Sequence, residues 1–169
     1  MAANAQDPSV TEEQPKAKRA SGFQPSLKGR ALRLLSLREH SRQELERKLK
    51  PFEETPGELD EALDFLQAKD FINEQRVVES VVNRRSRKLG ASRVRQELQA
   101  KGLPAEAIAE AVQAMRSTEL ERARDVWRKK FGEPPVDAAA RAKQIRFLVS
   151  RGFASEVVRK VVSGAEDFD

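Results

Sequence analysis

Leu98-Gln99-Ala100-Lys101-Gly102-Leu103 and Leu148-Val149-Ser150-Arg151-Gly152-Phe153 stand fifty positions apart and carry one pattern: a leucine, a cation, a glycine and a second large apolar residue, in that order. The match continues from Glu106-Ala107-Ile108 to Glu156-Val157-Val158. Working back towards the N-terminus, Leu45, Leu49, Leu59 and Leu63 lie 49 positions before Val94, Leu98, Ile108 and Val112, without a gap. A further 50 positions lead to Gln144, Leu148, Val158 and Val162. Glycines and capping residues recurring in phase with apolar positions are the mark of an internal repeat. The chain reads as three copies of one unit.

Within each copy the apolar spacing is helical. Leu27, Ala31, Leu34 and Leu35 fall at i, i+4, i+7 and i+8, and Ile108, Ala111, Val112 and Met115 at i, i+3, i+4 and i+7. Val77-Val78-Glu79-Ser80-Val81-Val82 is rich in a strand-favouring residue, yet its valines share one helix face, so helix is expected there too. Ser41-Arg42-Gln43-Glu44 and Thr55-Pro56-Gly57-Glu58 match the capping box that starts a helix. Pro56 and Pro104 suit a first helical turn, and Gly90, Gly102, Gly132 and Gly152 fall where C-terminal caps belong. The expected helices run near 28–39, 41–50, 56–68, 73–88, 91–101, 104–115, 117–130, 137–151 and 154–162. The fold class is therefore all-α, an elongated curved array of three tandem three-helix repeats over 27–70, 71–116 and 117–163. Units of this size are expected to share a core with their neighbours. Residues 1–26 hold no Leu or Ile and only Val10 and Phe23 as large apolar residues, so a disordered N-terminal tail is expected. Residues 164–169 form a short acidic tail.

Composition excludes several functions. The chain has 169 residues and no cysteine, which rules out disulfides, thiolate metal sites and a thiol nucleophile. No apolar run exceeds three residues, so no membrane span or secretory core can be built. A soluble cytoplasmic chain is expected. His40 is the single histidine, and it sits at a helix junction with no Gly-flanked serine or phosphate loop elsewhere. The pairs Glu12-Glu13 and Glu53-Glu54 lie in a polar tail and a turn. Nothing here forms an acid–base or nucleophilic constellation, and no enzyme, metal or cofactor is expected.

Charge is the informative feature. The net charge is +5, from 32 Lys and Arg against 27 Asp and Glu. Arg84, Arg85, Arg87, Lys88, Arg93, Arg95 and Lys101 stand against the single Glu97 in one short stretch of the middle repeat. Such a local field attracts an acidic protein surface or a nucleic-acid backbone. Arg122, Arg124, Arg128, Lys129 and Lys130 form a second basic stretch, and Arg141, Lys143, Arg146 and Arg151 a third set on the last repeat. Trp127 shares a helix face with Leu120, Ala123 and Phe131, which places it in a core rather than on a stacking platform. The helices around Gly90-Ala91-Ser92-Arg93 and Gly102-Leu103-Pro104 could be mistaken for a helix-turn-helix, but its second helix, after Pro104, carries Glu106 and Glu110, which argues against sequence-specific reading of the major groove.

Ala31-Leu32-Arg33-Leu34-Leu35, followed by Glu39-His40-Ser41-Arg42-Gln43-Glu44-Leu45, resembles the opening repeat of the bacterial RecX regulatory proteins. So do Phe71-Ile72-Asn73-Glu74-Gln75-Arg76 and the segments around Lys101-Gly102-Leu103 and Arg151-Gly152-Phe153 for the later repeats. Val77-Val78 departs from a frequent aromatic-alanine pair, and Pro51-Phe52 stands where glycine is common. The resemblance implies an all-helical modulator of the RecA recombinase, usually a negative one. It implies binding in the groove of RecA–DNA filaments and damping of filament growth, ATP hydrolysis, strand exchange and the co-protease role in the SOS response. Charge then nominates Arg84, Arg85, Arg87, Lys88, Arg93 and Arg95 as partner-binding residues. The competing expectation is a basic helical repeat that binds DNA, single-stranded included, without sequence preference. A monomer is expected.

Overall fold

The computed structural model describes residues 24–164, and the expected tails lie almost wholly outside them. The described residues form nine α-helices and no strand. The first unit holds α1 (Leu27–Leu37), α2 (Arg42–Leu49) and α3 (Glu58–Ala68), with a 3-10 turn at Lys50–Phe52. The second holds α4 (Glu74–Arg85), α5 (Ala91–Ala100) and α6 (Ala105–Arg116), and the third α7 (Glu119–Lys130), α8 (Ala138–Ser150) and α9 (Ser155–Ser163). The architecture is an all-α array of three-helix repeats. No helix among the described residues is long and apolar enough to cross a membrane.

All twelve in-phase positions, from Leu45 to Val162, are buried. Eleven are aliphatic, and each such side chain contributes roughly 1.5–3 kcal/mol on leaving water. The twelfth, Gln144, stands where the other units place Leu45 and Val94. Its amide is satisfied: Trp127 Nε1–H donates to Oε1 at 2.8 Å, and Nε2 donates to the Glu133 carbonyl at 3.1 Å. Trp127 packs against the core of the third unit, as its helix face requires.

The core is not shared between units. Leu27 to Ile72, Val77 to Met115, and Ala123 to Val162 form three separate apolar clusters, one inside each unit. In the second and third units the turn between the second and third helix folds an apolar residue back into the core, Leu103 and Phe153 respectively. The units therefore meet through polar and backbone groups.

Two local expectations need correction. The Ser41 capping box forms, with Ser41 Oγ accepting from Glu44 N–H and the Glu44 carboxylate accepting from Ser41 N–H. The Thr55 box does not, because Gly57 precedes α3 at φ +91° and no side chain caps from that position. Glu53 does the work from outside, its Oε1 accepting from Gly57 N–H at 3.0 Å and Leu59 N–H at 3.3 Å. Gly90 is also no C-cap. It lies at φ −76° and starts α5.

Candidate partner-binding surface

The junctions between units place the basic residues. Each is built from the start of the second helix in one unit and the glycine turn of the next. At the first junction the Ser41 hydroxyl donates to the Lys101 carbonyl, and Gln43 lies over Gly102. At the second, Gly90 N–H donates to the Arg151 carbonyl at 2.9 Å, and Ser92 N–H to the Gly152 carbonyl at 3.2 Å. Gly102 and Gly152 take φ +70° and +84°, the left-handed conformation that closes such turns. Where α2 caps itself, α5 borrows its cap: Ala91 N–H donates to Glu119 Oε1 of α7 at 3.0 Å. Arg122 locks the second junction with hydrogen bonds to the carbonyls of Ser86, Leu89 and Met115.

Arg84, Arg85, Arg87, Lys88, Arg93 and Arg95 are all exposed. The structure does not gather them into one strip. Arg84 and Arg85 end α4, where positive charge complements the helix dipole. Both reach Glu97, Arg85 Nε at 2.8 Å and Arg84 Nη2 at 3.5 Å, so the lone acid is held between them. Arg93 leans on Gln96 Oε1 at 3.1 Å and packs over Gly152. Arg95 points to the other side of α5, into a cleft shared with Arg116. Arg87, Lys88 and Arg95 make no ion pair among the described residues.

Arg85 and Arg93 line a cleft of about 640 Å³ with Leu89, Gln96 and Glu97 on one wall and, on the other, Phe147 and Ser150 of α8 with Arg151 at its end. The Arg151 guanidinium stacks 4.4 Å above the Phe147 ring, which in turn meets Phe131 edge-on at 5.2 Å. His40 is buried elsewhere, with Nδ1 2.9 Å from the Arg38 carbonyl, and burial pushes its pKa down. It is a junction residue with no acid–base partner beside it but Glu44, which Arg38 and Lys101 already hold.

Models of the first, second and third three-helix domains of RecX match residues 28–66, 73–112 and 117–162. The chain belongs to the RecX family. It is 55% identical over 143 residues to the regulatory protein RecX of Leptothrix cholodnii, covering 85% of this chain and 91% of that one. The corresponding protein of Ralstonia nicotianae is 45% identical over 141 residues, covering 83% and 89%. Among solved structures, RecX from Lactobacillus salivarius superposes with a TM-score of 0.69 over 82% of this chain and 93% of that one, at 21% identity.

Within this RecX-family chain the departures from the common pattern are local. Val77 and Val78 are buried in the second core, and Pro51-Phe52 forms the 3-10 turn with Arg30 stacked 4.1 Å from the Phe52 ring. Arg151 and Phe147 are the residues that sequence reading left out of the basic patch. Their signal was present, since Arg151 repeats Lys101 in phase, and Lys101 is itself a junction residue.

Proposed function

We propose that the chain binds RecA filaments on DNA and lowers their activity, working in the cytoplasm as a protein that occupies a surface and transforms nothing. The observation that carries this reading is the match of all three units, in order, to a family of regulatory proteins. The basic residues at the second junction supply the means of contact. Exposed arginines form forked, charge-assisted bonds with carboxylates or phosphates, and several acting together hold a polyanionic assembly. Blocking the groove and the growing end then limits filament growth, ATP hydrolysis, strand exchange and RecA-dependent repressor cleavage.

Exposed Arg87, Lys88 and Arg95 also favour a second reading, nonspecific DNA binding. The exposed Glu106 and Glu110 on α6 oppose it on that face. The two readings part in one assay: binding to RecA alone, to single-stranded DNA, and to RecA–DNA filament with an ATP analogue, at matched salt. Preference for the filament together with loss of ATPase is expected. Equal binding to bare DNA overturns the regulator reading in favour of the second. Neutralising Arg84, Arg85, Arg87, Lys88, Arg93 and Arg95 is expected to weaken filament binding, and unchanged binding would remove them from the contact.

A further inference from the structure

We propose that the cleft between the second and third units receives an acidic segment of a protein partner, with one carboxylate entering between Arg85, Arg93 and Arg151. This rests on the reading above that the chain acts by binding a protein assembly, and it names the chemistry of one contact. Two helices of the second unit and the residue that ends α8 of the third supply the cations, so the site exists only where the units meet. The one acid in the cleft, Glu97, is already taken by Arg84 and Arg85. Arg151 Nε is the sole buried side-chain donor without an acceptor among the described residues. A buried donor left unpaired destabilises the chain, and an incoming acceptor relieves that. The ring of Phe147 fixes the guanidinium in place, which leaves less to order on binding.

The same geometry disfavours a nucleic-acid strand. A single-strand groove needs cations in a track and open ring faces for bases. Here Arg95 lies on the opposite side of α5, and Phe147 is half-buried beneath Arg151. A carboxylate on a single stem can enter between the three guanidinium groups that line the cleft, whereas a phosphodiester is tethered on two sides.

The test is fluorescence anisotropy with a labelled oligoglutamate peptide and, in parallel, a labelled oligothymidylate, on the full chain at matched salt. Arg151→Ala is expected to weaken the peptide roughly tenfold, the loss of one strong charge-assisted contact. Arg151→Lys, which keeps the charge and removes Nε, is expected to lose most of that affinity too. Arg128→Ala, an exposed cation on α7, is expected to change it by less than about twofold. Absence of saturable peptide binding, equal losses in the Arg151 and Arg128 variants, or a selective loss for oligothymidylate would each overturn the proposal. A urea midpoint for Arg151→Lys near that of the parent chain shows that a loss is local. The assay contains no RecA. Failure of filament binding with a peptide response intact overturns the function proposed above and leaves the cleft standing. The reverse pattern overturns the cleft alone.

Discussion

Glu44 shows how one side chain can hold two units together. It starts α2 from within the capping box, accepting from Ser41 N–H at 3.1 Å. It also accepts from Arg38 Nη2 at 3.0 Å and from Lys101 Nζ of the next unit at 2.8 Å, while being only 5% exposed. Burial pushes its carboxyl up, but the bonds from Arg38, Lys101 and Ser41 outweigh this and hold its pKa at about 2, against an ordinary 4.5. A carboxylate with a depressed folded pKa stabilises fully above its unfolded value and loses that contribution as pH falls. The window is therefore from about pH 4.5 down to about pH 2. Glu44→Gln is expected to cost roughly 2 kcal/mol at neutral pH, the scale of hydrogen bonds to a charged group. Urea titrations of both proteins across that window check it: the gap should close as the parent carboxylate protonates, and a gap independent of pH would assign the loss to packing instead.

At the scale of the element, α5 is the helix whose start belongs to another unit. A Cβ on Gly90 would run into the backbone of Gly152 and Phe153, and backbone cannot swing aside as a side-chain end does. Gly90→Ala is expected to destabilise by about 1–3 kcal/mol, the range for overpacked sites, and to expose the Ala91 and Ser92 amides to hydrogen exchange. Gly29→Ala provides the contrast. Its Cβ would meet nothing closer than 3.4 Å inside the first turn of α1, so a gain of about 0.5 kcal/mol is expected. If both substitutions shifted the urea midpoint alike, the close approach at Gly90 would carry no weight. This pair also marks the limit of what periodicity reveals. The helices were legible because Leu45, Val94 and Gln144 and their companions recur in phase on buried faces, and Ser41 and Glu44 spell their own cap. Gly90 looked like a stop because it falls where the apolar periodicity breaks, yet its N–H donates to the Arg151 carbonyl, about sixty residues away in sequence. Arg151 was read into a separate basic set, on the last repeat, for the same reason. Its partners Arg85 and Arg93 come from another unit, and only the docked junction makes them neighbours.

For the whole molecule, three self-contained cores joined by polar junctions behave as a short linear array. Such head-to-tail contacts continue into polymers unless the ends are closed. Both ends here are closed by sequence. In the first unit Glu53 stands in phase with Gly102 and is extended at φ −72°, while the left-handed glycine of that connection, Gly57, lies four residues later at the start of α3. At the other end Ala140, in phase with Gly90, lies inside α8, and its N–H is already held by Asp137 at 2.6 Å. The chain is therefore expected to sediment as a monomer from micromolar concentration upwards, at low and high salt alike. A sedimentation coefficient that rose with concentration would mean that the junction can form between chains. Glu53→Gly combined with Asp137→Ala would then be the sharper probe, since opening both ends should promote chain-to-chain stacking only if the two caps are what prevents it.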